Sequence, residues 1–318
     1  MDARAHEADP APSSQAEGLR ALAAALGERA RVGEPLARHT SFRIGGPADL
    51  LVSAGTVAEL ALVVRTAAAH ALPLTVLGGG SNVLVGDGGI RGVVVKLAGA
   101  FRRVGWQADG EDVVAHAGAA VQLGRLARTA VARGLAGLEY AEGIPGTVGG
   151  ALSMNAGAYG GEIAAAIDAV EGVDRAGAVR TLARGALAFA YRRAELPPGF
   201  LVTAVRLRLR REEPAAVAAR MEAARARRLA SQPQGRPNSG SMFKNPRADH
   251  AGRLVEAAGM KGERVGRARI SEKHANFIVN EGGALAADVK ALMDAAQRAV
   301  WERSGVWLEP EVRLIGSW

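Results

Sequence analysis

The chain has 318 residues, of which 48% are hydrophobic and 23% are charged, enough apolar material for two hydrophobic cores. Its 40 Lys and Arg residues exceed its 32 Asp and Glu residues, and the resulting charge of +8 favours acidic ligands without choosing among phosphorylated molecules, membranes and nucleic acid. The chain contains no cysteine, which excludes disulfides, cysteine-ligated metal centres and a thiol nucleophile.

The N-terminus is rich in Ala, Pro, Ser and charge, and has too little apolar bulk to offset the entropy lost on ordering. We therefore predict a disordered leader over residues 1–16. No signal peptide is visible, and the longest apolar stretches fall far below the roughly 18 residues of a membrane-spanning helix. We expect a cytoplasmic protein without membrane insertion.

Short β-rich runs alternate with Ala-rich helical stretches from about residue 32 to residue 210, which indicates a mixed α and β arrangement. An Ala- and Arg-rich helix follows from residue 212, and two prolines end it. We place a domain boundary there, giving domains over residues 17–211 and 212–318. The last helix of the second domain lacks Ser, Thr or Asn near Ala286, so Asp288 in its first turn is expected to compensate for the missing cap.

Two glycine clusters are the strongest signals for a binding site. The first, LGGGSNVL, follows the strand-like run LTV, and the second is EGIPGTVGGA. Backbone N–H groups without neighbouring Cβ atoms can approach a ligand closely and turn toward one anion, so a pyrophosphate suits both clusters. The residues predicted to bind a cofactor there are Gly78, Gly79, Gly80, Ser81, Asn82, Thr147, Gly149 and Gly150.

Each glycine cluster is also consistent with nothing more than a tight turn, the commonest use of glycine. A third run, MNAGAYG, makes that simpler interpretation less attractive. Neither cluster fits the dinucleotide fingerprint G-x-G-x-x-G or the phosphate loop G-x-x-x-x-G-K-[ST], so an ordinary nucleotide-binding fold is disfavoured.

A series of sequence motifs, called family words below, then resembles the motifs of the UDP-N-acetylenolpyruvoylglucosamine reductase family. The words, in the family's order, are HTSFRIGGPAD, LGGGSNVLV, GIPGTVGGALSMNAGAYG, YRRAEL, GSMFKNP, AGRLVEAAGMKG, EKHANFIVN and EPEVRLIG. They run from His39 to Gly316. The resemblance implies an α+β fold: a two-lobed FAD-binding region of the vanillyl-alcohol-oxidase (PCMH) type, then a C-terminal α+β substrate-binding domain. The interval between Tyr191 and Ser241 is short and contains no Tyr or Trp, which resembles the shorter-loop type of the family.

The resemblance implies non-covalent FAD, NADPH as hydride donor, and UDP-N-acetylglucosamine enolpyruvate as the substrate reduced to UDP-N-acetylmuramate for peptidoglycan. Hydride addition at the terminal vinyl carbon pushes negative charge onto the carbon next to the carboxylate. The protein must therefore stabilise that charge and deliver a proton. We expect a monomer with no nucleic-acid partner.

Three residues match the family's catalytic positions. Arg192 offers a permanent planar cation for the developing enolate, Ser241 resembles the proton donor, and Glu311 is similar to the carboxylate that assists Arg192. Each residue also has a simpler interpretation. Arg192 can pair with Glu195 on the surface, Ser241 can form a turn, and Glu311 can pair with Arg313 along a strand.

The family's pattern further associates five positions with the nucleotide-sugar site: Tyr191, Arg228, Lys244, Asn245 and Asn276. Arg228 is equally consistent with one more cation on an Arg-rich helix. His39 and His274 lie inside family words, but no metal-like grouping of His, Asp and Glu accompanies them, so we assign them structural roles and predict no metal.

Three other functions remain open from the sequence. A flavoprotein oxidase of the same superfamily is one, although GSMFKNP and EPEVRLIG argue against it. A nucleic-acid-binding module is another, because residues 206–228 are Arg-rich, but no aromatic residues are interleaved there. A non-catalytic descendant is disfavoured because all three candidate catalytic residues are present.

Overall fold

The computed structural model describes residues 13–318. Residues 1–12 of the predicted leader lie outside the described residues. Helix α1 (Ser14–Leu26) begins within the span predicted to be disordered, because the Ser13 hydroxyl caps it by accepting a hydrogen bond from the backbone N–H of Ala16 at 3.3 Å. None of the helices found between residues 13 and 318 is long and apolar enough to cross a membrane.

The first lobe is a sheet covered by helices. Its elements are β1 (Ala30–Pro35), β2 (Pro47–Ala54), α2 (Val57–Ala69), β3 (Leu74–Val76), β4 (Val83–Val85) and β5 (Ile90–Leu97). The sheet order is β1-β2-β5-β3, with β5 parallel to both β2 and β3. Residues 93–95 of β5 are fully buried, as is usual for a parallel strand covered on both faces. The first glycine cluster follows β3 at the carboxyl end of this parallel strand.

The second lobe is built on an antiparallel sheet with the order β12-β11-β15-β7-β6, and β8 adds to β15. Its elements are β6 (Val104–Asp109), β7 (Asp112–Gly118), α3 (Leu123–Val131), β8 (Leu135–Ala136), α4 (Val148–Ser153), β9 (Gly157–Ala158), β10 (Gly161–Glu162), β11 (Ile167–Val173), β12 (Val179–Ala183), β13 (Ala188–Ala190), β14 (Arg193–Glu195) and β15 (Leu201–Arg211). The second glycine cluster leads into α4, so both clusters lie at the ends of regular elements.

The C-terminal region contains α5 (Pro214–Ser231), α6 (Ala251–Ala257), β16 (Arg264–Val265), β17 (Ala268–Ile270), β18 (Ile278–Asn280), α7 (Ala286–Ser304) and β19 (Arg313–Ile315). Helix α5, which opens the predicted 212–318 domain, packs its buried Val217 against Val131 and Ala136 of the second lobe. Strand β19 pairs in parallel with β4 of the first lobe. The C-terminal region therefore contacts both lobes.

The N-terminus of α7 shows how closely the regions are joined. Asp288 accepts a hydrogen bond from the backbone N–H of Leu285 at 3.0 Å, which is the compensation predicted from the sequence. A second cap comes from Asp87 of the first lobe, whose carboxylate accepts from the N–H groups of Ala286 and Ala287 at 2.8 and 3.0 Å. The missing local cap is thus replaced by a carboxylate about 200 residues away in sequence.

Candidate active site

A cleft of about 1590 Å³ is lined by both lobes and the C-terminal region. Sites for one small molecule are typically about 300–1,000 Å³, so this cleft can hold a cofactor and a second ligand together. All eight residues predicted to bind a cofactor and all three predicted catalytic residues line it. Of the five predicted substrate residues, Arg228 and Asn245 line it.

The two glycine clusters contact each other where they line the cleft. A Cβ atom at Gly79 would lie 2.7 Å from the Cα of Gly146, and one at Gly78 would lie 2.7 Å from Oγ1 of Thr147. The Ser81 hydroxyl donates to the carbonyl of Pro145 at 3.1 Å. The close approach of one loop to the other therefore requires glycine at these positions, whatever else binds there.

The backbone N–H groups of the two clusters differ in their hydrogen bonding. The backbone N–H groups of residues 78–82 donate to no backbone carbonyl within residues 13–318, although Gly80 is buried and its neighbours are half-buried. In the second cluster, Val148 and Gly149 donate to the carbonyls of Val121 and Ala119, in the loop between β7 and α3, at 2.8 and 2.9 Å. Buried N–H groups need partners, and the first cluster offers five consecutive backbone N–H groups that donate to no carbonyl in the described chain, which suits it to hold an anion.

Arg192 lies in the tight turn between β13 and β14, with φ at 58°. Its Nε donates to Oε1 of Glu311 at 2.7 Å, and the two side chains are 22% and 15% exposed. The simpler pairings considered from the sequence are not formed within the described chain, because Glu195 pairs with Arg193 at 3.0 Å and Glu311 is committed to Arg192. Arg192 also stacks on the ring of Tyr191, 4.8 Å from its centroid.

Burial raises the pKa of Glu311 above the ordinary value of a glutamate, and the positive charge of Arg192 opposes this effect. Lys244 opposes it more weakly. The site thus combines a permanent cation with a carboxyl group that holds its proton to higher pH than a solvated one.

The segment carrying Glu311 is fixed by hydrogen bonds from two other parts of the site. Its backbone N–H donates to the carbonyl of Met242 at 2.8 Å, and its carbonyl accepts from Nδ2 of Asn82 at 3.0 Å. Since Ser241 precedes Met242, the segments of the predicted proton donor and the predicted carboxylate run side by side. Asn82, which is predicted to bind a cofactor, therefore uses one of its two amide N–H groups to donate to the Glu311 carbonyl.

Three predicted substrate residues lie outside the lining of the cleft. Asn276 is 3% exposed, and its amide bonds both backbone groups of Phe243, at 2.8 and 2.9 Å. Lys244 pairs with Glu309, and Tyr191 stacks on Arg192. In this structure these three side chains contact Glu309, Arg192 and Phe243, in the segments that carry Glu311, Arg192 and Ser241. Asn245 lines the cleft and also caps α6, accepting from the N–H of Ala251 at 3.0 Å.

Arg228 passes over the second glycine cluster, where a Cβ at Gly143 would lie 2.6 Å from its Cδ. Burial lowers the pKa of Arg228, and among the described residues its buried Nε has no hydrogen-bond partner. Its guanidinium lies 5.8 Å from the ring of Tyr159, a cleft residue that the sequence patterns did not single out. Tyr159 belongs to the MNAGAYG run, but its φ of 53° and its contact with a helix 69 residues later are not visible in that run.

The two histidines assigned structural roles both line the cleft. His39 pairs with the buried Glu34 at 2.9 Å, and Nδ1 of His274 accepts from the N–H of Asn276 at 3.2 Å. Residues 13–318 contain no group of three His, Asp or Glu side chains that could hold a metal ion.

Comparisons with known proteins identify similarities over both halves of the chain. A family model described as an FAD binding domain matches residues 48–183. A second, described as the C-terminal domain of UDP-N-acetylenolpyruvoylglucosamine reductase, matches residues 232–315.

Full-length relatives agree with these matches. UDP-N-acetylenolpyruvoylglucosamine reductase 2 from Symbiobacterium thermophilum is 48% identical over 305 residues, covering 96% of this chain and 97% of that protein. The reductase from Rubrobacter xylanophilus is 47% identical, covering 91% and 96%. The crystal structure of UDP-N-acetylenolpyruvylglucosamine reductase from Thermus caldophilus superposes with a TM-score of 0.77 at 40% identity, covering 90% of this chain and 99% of that one.

Proposed function

Because the chain belongs to the UDP-N-acetylenolpyruvoylglucosamine reductase family, we propose that the cleft is its active site and that Arg192, Ser241 and Glu311 are its catalytic residues. The protein is a flavin-dependent oxidoreductase that uses NADPH and FAD to reduce UDP-N-acetylglucosamine enolpyruvate to UDP-N-acetylmuramate, for peptidoglycan synthesis. The predicted order of an FAD-binding region followed by a C-terminal domain of the reductase family is also confirmed.

The first glycine cluster fits the pyrophosphate of FAD, since residues 78–82 line the cleft and their backbone N–H groups donate to no carbonyl in the described chain. Bound FAD supplies the two-electron chemistry that links NADPH to the enolpyruvyl ether. We propose that the second cluster, which contacts the first, also binds the cofactor, with Thr147, Gly149 and Gly150 close to it. The cleft also carries Arg38, Lys96, Arg125, Arg225 and Arg228, a positive field suited to several phosphates.

The single observation that carries the catalytic assignment is the pair of Arg192 and Glu311 beside the Ser241 segment. The guanidinium provides a preorganised positive charge for the substrate carboxylate as it gains enolate character. Glu311 fixes the guanidinium by accepting from Nε, and within residues 13–318 the terminal nitrogens have no hydrogen-bond partner, so they are available to bind the substrate. The guanidinium can therefore stabilise the negative charge that develops on the substrate without any rearrangement of the site.

Ser241 is proposed to donate its hydroxyl proton to the carbon next to the carboxylate. A hydroxyl is a weak acid, but the carbanion is a strong base and can take its proton. The backbone at Ser241 is held in a bridge to Phe277, and Asn276 fixes the following segment, so the hydroxyl is carried on a rigid support.

The substrate is proposed to lie between this centre and Arg228. Arg228 is a half-buried cation whose Nε has no hydrogen-bond partner in the described chain, and it fits the diphosphate of the nucleotide sugar. Asn245 supplies an amide on the same wall. Tyr191, Lys244 and Asn276 are proposed to act mainly by holding the segments that touch the substrate.

The test is Ser241→Ala, studied by rapid mixing of the two half-reactions. Flavin reduction by NADPH should stay nearly unchanged, while reoxidation by the enolpyruvyl substrate should slow by about 10²–10⁴-fold, the contribution typical of a positioned acid. Equal damage to both half-reactions would argue against the proton-donor role. Rapid reoxidation by oxygen, but not by the nucleotide sugar, would instead favour an oxidase.

We further propose that the enzyme works as a cytoplasmic monomer. The catalytic groups named above come from one chain, so the site does not require a second copy. The absence of cysteine is compatible with a reducing compartment. Sedimentation equilibrium checks the oligomeric state.

The division into residues 17–211 for FAD and 212–318 for substrate stays a prediction.

A further inference from the structure

The hairpin that carries Arg192 has little support from its own sheet. Strands β13 and β14 pair only with each other in the described chain, and four of their six residues are exposed. An isolated two-stranded hairpin is marginally stable in water. Arg192 itself adopts a positive φ, which a residue with a side chain adopts only at a cost. Its position therefore depends on contacts that hold the hairpin from outside.

Asn155 supplies such a contact from the loop between α4 and β9. It is 1% exposed, and its Nδ2 donates to the carbonyl of Ala190 at 3.1 Å and to Oε2 of Glu162 at 3.0 Å. Its Oδ1 accepts from the backbone N–H of Ala164 at 3.2 Å. Both amide hydrogens and the amide oxygen are thus used, which fixes the orientation of the side chain.

Ala190 is the last residue of β13, two residues before Arg192. A hydrogen bond at its carbonyl anchors the start of the turn to the second lobe, while the bond of Arg192 to Glu311 anchors the other side to the C-terminal region. We propose that Asn155 is a positioning residue for Arg192, a role that rests on the proposed function of Arg192.

Asparagine suits this position for two chemical reasons. Its amide donates and accepts at once, whereas aspartate lacks the donors and would face the carboxylate of Glu162. Its φ of 40° lies in the left-handed region, which Asn tolerates better than most residues. Glycine tolerates that φ equally, so Asn155→Gly removes the hydrogen bonds without straining the backbone.

The experiment uses the FAD-loaded full chain and measures both half-reactions. Asn155→Gly should slow reoxidation by the enolpyruvyl substrate by about 10- to 100-fold, as expected for a misplaced catalytic group, and should change flavin reduction by less than about twofold. The flavin absorption spectrum should be unchanged. Equal slowing of both half-reactions, or no slowing, would overturn the proposal.

A double-mutant cycle with Arg192→Met tests whether Asn155 acts through Arg192. Adding Asn155→Gly to Arg192→Met should cause no further slowing. If Arg192→Met slows reoxidation and the second change slows it further by the full single-variant factor, the positioning role is wrong while the function of Arg192 stands. If Arg192→Met alone leaves reoxidation unchanged, the proposed catalytic role fails, and this inference fails with it.

Two further variants separate positioning from general stability. Asn280 is another buried asparagine, and it bonds the backbone of Phe42, Gly282 and Ala284 away from the hairpin. Asn280→Ala should lower the melting temperature without selective slowing of reoxidation; the same selective slowing would overturn the proposal. If Asn155→Gly folds poorly, Glu162→Ala replaces it as the test, because it removes one acceptor of Asn155 at an exposed site. This variant should slow reoxidation less than Asn155→Gly does. No slowing would count against the positioning role.

Discussion

Asn82 and Glu311 are 229 residues apart in sequence, yet Nδ2 of Asn82 donates to the backbone carbonyl of Glu311 at 3.0 Å. The next residue but one, Arg313, returns a hydrogen bond from its N–H to the carbonyl of Asn82 at 3.0 Å. The loop proposed to hold the FAD pyrophosphate is therefore tied directly to the segment that carries the candidate catalytic carboxylate.

The raised pKa of Glu311 predicts a specific effect of pH on stability. Between its ordinary value near 4.5 and the raised value of the folded state, the folded protein keeps a proton that the unfolded chain has lost. The free energy of unfolding therefore falls as pH rises through this window. In Glu311→Gln this contribution is absent, so the variant should gain stability relative to the parent protein as pH rises. Denaturant unfolding without added ligand, from about pH 4.5 to 8, measures the difference, and parallel curves would contradict it.

Gly79→Ala is expected to separate the two glycine clusters. The new Cβ would lie 2.7 Å from the Cα of Gly146, and a backbone atom cannot move aside as a side chain can. We expect a loss of about 1–3 kcal/mol in unfolding free energy, typical of overpacking, together with weaker FAD binding. Flavin fluorescence titration and denaturant unfolding measure both effects. Gly185→Ala is the matched control, since nothing lies within 4 Å of the position that its new methyl group would take and its φ is not positive.

Arg228→Met tests the role of the half-buried Arg228 cation in the cleft. Loss of a charged hydrogen bond to a phosphate typically costs about 1.5–3 kcal/mol, so KM for the nucleotide sugar should rise about tenfold or more, with a smaller effect on kcat. Arg227→Met is the control, because Arg227 lies on the same helix, is exposed and does not line the cleft. Equal changes in KM for the two variants would show that Arg228 contributes only to the general positive charge.

Much of the fold and of the site was predictable because the signals are local. Ala-rich composition indicated helical stretches such as α2, a helix was expected to begin near Ala286, where α7 starts, and the glycine clusters marked the two loops that line the cleft. The family words then supplied the identity of Arg192, Ser241 and Glu311, which lie in separate segments whose approach no local pattern encodes.

The remaining features depend on contacts between distant segments. Asn276 lies in a family word, but only the folded chain shows that its amide forms hydrogen bonds with the backbone of Phe243. Asn155 lies in the MNAGAYG run, and its role follows from its contact with Ala190, 35 residues later. Helix α5 was placed in the C-terminal domain from composition, whereas its buried side chain Val217 packs on the second lobe.

The carboxylate of Asp87 at the start of α7 has a consequence for truncated forms of the chain. A fragment starting at residue 212 would leave the N–H groups of Ala286 and Ala287 without that acceptor, and β19 would have no partner strand. Helix ends and strand edges left bare in this way favour fraying and self-association over autonomous folding. Heating the intact chain should accordingly melt all of its regions in one cooperative step.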